Sequence, residues 1–275
     1  MNFTGVRAQP TILVFDSGLG GLTVFRETVK ARPDARYLYV ADDAFFPYSG
    51  RSEAELVERV VAVMGELIAD HTPDLVVIAC NTASTAVLSP LRARYKVPFV
   101  GTVPAIKPAC AASKSKRISV LGTEGTVRRE YTQALIRDFA KGCDVKLIGS
   151  ARLATIAEAG LRAEPVDERE IAAEIAPCFV DGDGRRTDTV VLACTHYPLL
   201  LGRLSALAPW PVAWIDPAPA IARRVLDLLG KPGNNAKPIV TPAIFTSGRK
   251  PAPALARALA DFGLEAPTAA ITQSS

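Results

Sequence analysis

One strand motif occurs twice in this chain, and the repeat constrains the fold more than any other feature. Residues 74–80 (DLVVIAC) and 188–194 (DTVVLAC) are identical at five of seven positions, and each segment ends in a cysteine, Cys80 or Cys194. An earlier pair of apolar segments and a pair of prolines spaced six residues apart repeat in the same order. Repetition of several segments in a fixed order indicates a duplicated unit. We therefore expect two halves with the same fold.

Short apolar runs alternate with helical stretches along most of the sequence. Several of the runs are apolar on both faces, as in parallel strands that helices cover on both sides. The predicted strands are 12–15, 37–40, 75–79, 99–102, 118–121, 145–148, 190–193, 212–215 and 239–245. The last one contains Pro242 and is expected at a sheet edge or with a bulge. The pattern predicts the α/β fold class, with two pseudo-symmetric, doubly wound domains, mostly parallel sheets and an active site in the cleft between them.

The charge of the chain is small and spread out. Its 275 residues include 32 basic and 28 acidic side chains, a net charge of +4, which is too weak and too dispersed to favour nucleic-acid binding. The N-terminus lacks the apolar region of a signal peptide, and no apolar run is long enough for a membrane span. Five cysteines without close pairs disfavour a disulfide framework. We expect a cytoplasmic protein that binds neither nucleic acid nor membranes.

Polar residues follow the predicted strands at their carboxyl ends, where ligands bind in open α/β sheets. They are Asp16, Ser17, Cys80, Asn81, Thr82, Thr123, Cys194, Thr195 and His196. A cysteine is often a small core residue, and we favour that interpretation for Cys110, Cys143 and Cys178. It is weaker for Cys80 and Cys194, because hydrogen-bonding residues follow each of them directly.

Two cysteines on opposite sides of one cleft suit few reactions. Zinc binding is disfavoured, because zinc takes about four ligands and the chain has two histidines and no C-x-x-C pair. A hydrolase would need one nucleophile with a base rather than two thiols. A redox disulfide is possible but lacks its usual motif. Stereoinversion at a carbon acid fits best, because one thiolate can remove the α-proton while the opposite thiol returns a proton to the other face.

Neighbouring residues could assist the two sulfurs and hold a substrate. His196 could assist Cys194, or it could satisfy a buried carbonyl, and Asp16 could act near Cys80 or hold a substrate ammonium. The glycine-rich turn at 17–21 follows a strand and opens a helix, so its N–H groups could meet a carboxylate. Further candidates for substrate contacts are Tyr48, Ser49, Asn81, Thr82 and Thr195.

The segments around these residues resemble bacterial glutamate racemase, which belongs to the aspartate/glutamate racemase superfamily. The matching stretches are 14–22 (VFDSGLGGL), 47–48 (PY), 79–84 (ACNTAS), 121–127 (LGTEGTV), 193–199 (ACTHYPL) and 245–248 (FTSG). They keep their order and span most of the chain, and the two cysteine-centred motifs together are highly specific.

The resemblance implies a cofactor-independent racemase that interconverts L- and D-glutamate and supplies D-glutamate for peptidoglycan, without pyridoxal phosphate or a metal. It implies that Cys80 works on the D-isomer and Cys194 on the L-isomer, assisted by Asp16 and His196, with Glu158 placed near His196. The substrate-binding positions that it implies are Asp16, Ser17, Asp42, Tyr48, Ser49, Asn81, Thr82, Thr123, Thr195 and His196.

The resemblance also implies two domains, with the chain crossing between them twice. The predicted domains are residues 1–102 together with 214–275, and residues 103–213. The only partner we expect is a small amino-acid substrate, glutamate. For the assembly, the expectation is a homodimer.

Some positions depart from the family pattern, and two alternatives stay open. Ser49 stands where glycine is usual, Asp43 where threonine is common, and Ser150 with Ala151 where a Cys-Pro pair is frequent. One alternative is a racemase for aspartate or another amino acid, because one methylene changes binding by only about 1–3 kcal/mol. The other is a non-catalytic, thiol-containing anion-binding protein or redox regulator.

Overall fold

The computed structural model describes residues 9–233 and 237–266, which form two parallel sheets with helices on their faces. The strands are β1 (Thr11–Asp16), β2 (Arg36–Ala41), β3 (Leu75–Ile78), β4 (Phe99–Gly101), β5 (Arg117–Thr123), β6 (Asp144–Ser150), β7 (Asp181–Gly182), β8 (Arg185–Arg186), β9 (Thr189–Ala193), β10 (Ala213–Ile215), β11 (Ile239–Val240) and β12 (Ile244–Phe245). This mixed architecture with mostly parallel strands confirms the predicted fold class.

Helices connect the strands. The α-helices are α1 (Leu22–Ala31), α2 (Glu53–His71), α3 (Asn81–Arg94), α4 (Ile106–Ala112), α5 (Glu124–Arg128), α6 (Glu130–Phe139), α7 (Leu153–Leu161), α8 (Glu168–Ile175), α9 (Leu201–Leu207), α10 (Ala218–Leu229) and α11 (Pro253–Asp261). Short 3₁₀ helices lie at Tyr48–Gly50, Ala176–Cys178 and Tyr197–Leu200. None of the helices in the described part of the chain is long and apolar enough to cross a membrane.

The first sheet has the strand order β11-β2-β1-β3-β4, with β12 also beside β2, and all of its pairings are parallel. Every residue of β1 and β3 is buried. Ile12 and Val14 point into one core with α1, α10 and α11, whereas Leu13 and Phe15 point into a second core with α2 and α3. Burial on both faces explains why these strands read as unbroken apolar runs.

The second sheet repeats the strand order of the first. Its order is β10-β9-β5-β6, again with parallel pairing, so β6, β5, β9 and β10 take the places that β2, β1, β3 and β4 hold in the first sheet. The cysteines that end the two copies of the repeated motif therefore follow equivalent strands. Cys80 follows β3, next to β1, and Cys194 follows β9, next to β5.

The aspartate that opens each copy of the motif fixes the start of its strand. Asp74 accepts a hydrogen bond from the N–H of Thr11 at 2.8 Å, which joins the starts of β1 and β3. In the second half, Asp188 accepts from the N–H groups of Lys114 and Ser115 at 2.7 and 2.8 Å, just before β5. The repeated aspartate thus ties together the strand ends that lie away from the cysteines.

Two details differ from the predicted strands. The predicted strand at 239–245 is interrupted around Pro242, because proline cannot donate to a ladder, and its two pieces, β11 and β12, both lie beside β2 at a sheet edge, the position predicted for it. The short antiparallel pair of β7 and β8 was not predicted.

The division of the chain into two domains, residues 1–102 with 214–275 and residues 103–213, stays a prediction. Strand β10 spans the second boundary of this division while it pairs with β9.

Candidate active site

A small pocket lies where the carboxyl ends of the two sheets meet. Its walls contain most of the residues that the sequence predicts, namely Ser17, Tyr48, Ser49, Cys80, Asn81, Thr82, Thr123, Cys194, Thr195 and His196, together with Phe46, Pro47 and Ala154. The free volume is about 20 Å³, room for about one water molecule, so the side chains nearly fill the space between them. Asp16, Asp42 and Glu158 lie behind this wall, each of them buried.

Cys80 sits at the start of α3, where its sulfur replaces a capping oxygen. The Sγ atom accepts from the N–H of Ala83 at 3.4 Å and lies 3.6 Å from the Oγ of Ser17, to which the thiol donates. Burial raises the pKa of the Cys80 thiol to about 12, and the negative charge of Asp16 adds to the effect; together they outweigh the hydrogen bonds with Ala83 and Ser17, which lower it. The thiol therefore keeps its proton at neutral pH.

Asp16 is the last residue of β1, and only one of its two carboxylate oxygens accepts hydrogen bonds. Its Oδ2 accepts from the N–H groups of Gly18 and Gly21 at 3.1 and 3.0 Å, whereas Oδ1 is buried and has no hydrogen-bond partner. Burial raises the pKa of Asp16, opposed chiefly by the positive charge of His196. An unpaired buried oxygen beside the pocket is costly, and such groups often mark functional sites.

Cys194 stands beside a chain of ionisable groups. Its Sγ lies 3.7 Å from Nδ1 of His196, whose Nε2 lies 3.0 Å from Oε1 of Glu158. The second oxygen of Glu158, Oε2, accepts from Arg162 at 2.6 Å. His196 and Glu158 have side chains only 3% exposed. Glu158 thus connects the buried histidine to an arginine at the surface.

His196 and Glu158 form a charged pair. Burial raises the pKa of Glu158, but hydrogen bonds from His196 and Leu19 and the charges of His196 and Arg162 outweigh it, and the net pKa lies below the ordinary value. Burial lowers the pKa of His196, but its contacts with Cys194 and Glu158 hold the net pKa well above the ordinary value. The ionised carboxylate thus favours a proton on Nε2. The N–H of Gly20, 3.2 Å from the same nitrogen, then cannot donate to it.

The glycine-rich turn, predicted from the sequence to meet a carboxylate, donates its N–H groups to carboxylates of the protein itself. Besides the two bonds to Asp16, its Leu19 N–H donates to Oε1 of Glu158 at 2.9 Å. A Cβ on Gly18 would come within 2.1 Å of that oxygen, and a Cβ on Gly20 within 2.3 Å of Nδ1 of His196. These two glycines are required because the backbone of the first half lies directly against the charged pair of the second.

Neutral donors line the rest of the pocket. The amide of Asn81 is 2% exposed, and neither its nitrogen nor its oxygen has a hydrogen-bond partner. The hydroxyl of Thr82 on α3 lies 2.9 Å from that of Thr123 and 3.1 Å from that of Thr126, both from the second half. Asn81 is therefore free to bind a guest, whereas the three threonine hydroxyls already bond one another across the cleft.

Tyr48 is held from behind by Asp42. The tyrosine hydroxyl donates to Oδ2 of Asp42 at 2.6 Å, and the same carboxylate accepts from Arg59 at 2.6 Å and from the hydroxyl of Thr246 at 2.6 Å. Tyr48 lines the pocket while its hydroxyl is bonded to Asp42. Asp42 does not line the pocket, so any part it has in binding acts through Tyr48.

Four residues that bond to site residues in the structure were not identified from the sequence. Arg162 follows Glu158 by four residues, a helical spacing that could have identified it. Thr126 follows Thr123 by three residues and donates its N–H to the capping Thr123 hydroxyl, a pattern also visible in sequence. Arg59 and Thr246 carried no such signal, because they reach Asp42 from distant parts of the chain.

Comparison with known proteins yields one consistent group of relatives. A sequence model of the Asp/Glu/Hydantoin racemase family matches residues 16–225. The chain is 55% identical to glutamate racemase of Brucella anthropi over 261 residues, which cover 94% of this chain and 93% of that protein. It is also 55% identical to glutamate racemase of Sinorhizobium fredii over 256 residues, 92% of this chain and 95% of that protein.

The fold is also similar to solved structures. Escherichia coli glutamate racemase, solved with L-glutamate and the activator UDP-MurNAc-Ala, superposes with a TM-score of 0.85 at 40% identity, covering 94% of this chain and 96% of that one. The glutamate racemase of Aquifex pyrophilus superposes with a TM-score of 0.71 at 28% identity over 94% and 96% of the two chains.

Proposed function

The chain belongs to the Asp/Glu/Hydantoin racemase family, and we propose that it interconverts L- and D-glutamate by proton transfer to and from Cys80 and Cys194. One observation carries the proposal: the two sulfurs follow equivalent strands of two equivalent sheets and border the same pocket. A group on each side of one pocket is what removal of a proton from one face and its return to the other require.

The proton path from L-glutamate follows from the positions of the sulfurs. The Cys194 thiolate takes the α-proton, and the C–H electron pair stays on the α-carbon as a carbanion. The Cys80 thiol then gives its proton to the opposite face, so that Cys194 ends as a thiol and Cys80 as a thiolate. The raised pKa of Cys80, about 12, favours the protonated state that this donation needs. From D-glutamate the same steps run in reverse.

The two sulfurs receive different support in this mechanism. The His196 imidazolium, 3.7 Å from Sγ of Cys194, stabilises negative charge on that sulfur, and Glu158 keeps the imidazole protonated. Asp16 acts on the other side, where its charge raises the pKa of Cys80. We assign substrate contacts to the unpaired amide of Asn81 and to the remaining predicted binding residues of the pocket wall.

The proposal also covers the use of the product, the cellular compartment, the assembly and the choice of substrate. D-Glutamate is the product that peptidoglycan synthesis consumes, and we propose that the chain supplies it in the cytoplasm. A homodimer is the assembly we propose, although one chain contributes every residue of the pocket described above. Two relatives that are 55% identical to this chain are named glutamate racemase, which favours glutamate over aspartate as the substrate.

Deuterium exchange tests the activity and the substrate together. The protein is incubated in D₂O with L-glutamate or L-aspartate, without added cofactor, while optical rotation and α-deuteration are followed. We expect glutamate to lose its rotation and gain deuterium together. Exchange with aspartate alone would replace glutamate with the alternative substrate.

A regulator that senses oxidants is the alternative of another class, and the same experiment separates it. A regulator exchanges no α-proton of either amino acid, and its Cys80 and Cys194 would instead be found oxidised after treatment with peroxide. Absence of exchange with both substrates overturns the racemase proposal.

A further inference from the structure

The buried carboxylate of Glu158 is held from three sides. Its Oε1 lies 3.0 Å from Nε2 of His196 and accepts a hydrogen bond from the N–H of Leu19 at 2.9 Å. Its Oε2 faces the opposite way and accepts from Nη2 of Arg162 at 2.6 Å. In the described part of the chain, Arg162 is the only hydrogen-bond donor to Oε2. The direction in which Oε1 points is therefore set partly by a bond on the other oxygen.

Arg162 is placed by the helix that carries Glu158. It caps the carboxyl end of α7, and its backbone N–H bonds back to the carbonyls of Glu158 and Ala159. The arginine side chain is 37% exposed, whereas that of Glu158 is 3% exposed. The order Glu then Arg at a spacing of four is the favourable one on a helix. The guanidinium thus reaches inward from the surface but does not line the pocket.

We propose that Arg162 is a positioning residue of the racemisation, which orients Glu158 toward His196 and so supports Cys194. The inference rests on the proposed function. If Oε2 loses Arg162, water can replace it, but water does not fix the carboxylate against rotation. Glu158 then spends time turned away from His196, and the buried imidazole loses the partner that keeps it charged.

Other charged or titratable groups act on the same pair, and they limit what Arg162 can do. Asp16 and Cys194 lie close enough to interact electrostatically with His196. Tyr39 on β2 donates its hydroxyl to the carbonyl of Gly18, and its pKa is raised well above its ordinary value, first by burial and then by the charges of Asp16 and Glu158. Arg162 contacts Glu158 alone within this group, so its effect on His196 passes through the carboxylate.

The first test is a spectrum of the histidine itself. The chain has only two histidines, His71 and His196, so ¹⁵N-histidine labelling gives two imidazoles, and His71→Gln identifies the second. We expect a doubly protonated His196 in the wild-type protein at neutral and mildly alkaline pH. Arg162→Gln should shift it toward the neutral form, and Arg162→Lys should restore the wild-type spectrum.

The second test compares the kinetics of the reaction from L-glutamate with those of the reaction from D-glutamate. Arg162→Gln should lower kcat about tenfold, and Arg162→Lys should recover activity to within about threefold. With α-deuterated L-glutamate, whose label Cys194 removes, the isotope effect should rise in Arg162→Gln. With α-deuterated D-glutamate, whose label Cys80 removes, it should fall. A structural defect without a positioning role slows both transfers and leaves the ratio of isotope effects unchanged.

Arg128→Gln is the matched control. Arg128 pairs with Glu124 at the same spacing on α5, and both side chains are largely exposed. Its loss should leave activity within about twofold of wild type and the His196 spectrum unchanged.

Three results would overturn the proposal for Arg162. They are an unchanged His196 spectrum in Arg162→Gln, an unchanged ratio of isotope effects, and an equal response in Arg128→Gln. If the wild-type protein exchanges no glutamate proton, the proposed function fails by itself, and the histidine spectrum alone then decides whether Arg162 positions Glu158.

Discussion

The two sides of the pocket have the same backbone plan and opposite electrostatics. Cys80 lies beside a neutral hydroxyl, Ser17; burial raises the pKa of its thiol to about 12, and the nearby carboxylate of Asp16 adds to the effect. Cys194 lies beside an imidazole that Glu158 keeps protonated. A duplicated fold has thus supplied two equivalent sulfurs, whereas the groups around them have diverged. The reaction has equivalent forward and reverse directions, but the two sulfurs need not have the same surroundings.

The thermodynamics of racemisation permits this difference. The two enantiomers have equal free energies in water, so kcat/KM must be equal in both directions, for the wild-type protein and for every variant. Differences between the two sides can appear only in kcat and KM separately, in isotope effects or in half-reactions. Experiments that compare the two sides must therefore measure those quantities.

Removal of either sulfur should have the largest effect. Cys80→Ser and Cys194→Ser should each lower racemisation at least about a thousandfold in both directions, because a serine hydroxyl is a far weaker acid than a thiol. Each variant should retain α-proton exchange or elimination from one enantiomer only, D-glutamate when Cys80 remains and L-glutamate when Cys194 remains. Circular dichroism and α-deuteration measure the two properties. Racemisation at the wild-type rate by either variant would refute the two-base assignment.

Replacing Glu158 by a neutral residue should have the next largest effect on activity, and it should act on the Cys194 side of the pocket. Glu158→Gln keeps the shape but removes the charge that holds the proton on His196, and we expect kcat to fall about a hundredfold. The isotope effect with α-deuterated L-glutamate should rise, and that with α-deuterated D-glutamate should fall. Equal changes in both isotope effects would show that Glu158 serves the two sides alike.

A methyl group on the glycine-rich turn should disturb the same side by steric means. In Gly20→Ala the new Cβ would lie 2.3 Å from Nδ1 of His196, so the ring must shift from its present place beside Cys194. We expect a fall in kcat of about thirtyfold, since displacement of a catalytic group by about 1 Å can cost up to a hundredfold. Gly202→Ala is the control, because nothing lies within 4 Å of its Cβ. Comparable activities of the two variants would mean that the position of His196 matters little.

The pH dependence of alkylation should show the state of the other sulfur. Because the pKa of Cys80 is raised to about 12, its thiolate fraction stays small at pH 8 and grows as the pH rises. Alkylation of Cys80 by iodoacetamide should therefore accelerate about tenfold per pH unit from pH 8 to 10, without a plateau. Mass spectrometry of the Cys80 peptide gives the rate. A plateau near pH 8 would show that the thiol ionises in its ordinary range.

Sequence patterns predicted the parts of this molecule that depend on one strand and the residues directly after it. Parallel strands converge at their carboxyl ends, so naming Cys80, Thr123 and Cys194 as strand-end residues was enough to place them at one pocket. The twofold strand order followed from the repeated motif in the same way. The antiparallel pair of β7 and β8 was missed, although Asp183-Gly184 between them is a common hairpin turn.

Contacts between distant side chains could not be predicted in this way. The glycine-rich turn has the sequence of an anion site, but only the packing of α7 against it shows that Glu158 is one of its anions. Asp42 similarly gathers Arg59 and Thr246 from separate elements, so its place behind Tyr48 depends on the folded chain. Local patterns identify which groups stand at a strand end, whereas tertiary packing decides which of them meet.

The contact of the glycine-rich turn with Glu158 and His196 links shape to charge. Leu19 and Gly20 belong to the first half, whereas the acid and the imidazole belong to the second, and the free volume between the halves is only about 20 Å³. Glutamate is much larger than this space, and a separation of the halves that enlarged the pocket would also lengthen the bond between Leu19 and Glu158. The room for a guest and the hydrogen bonding of Glu158 therefore cannot be varied independently.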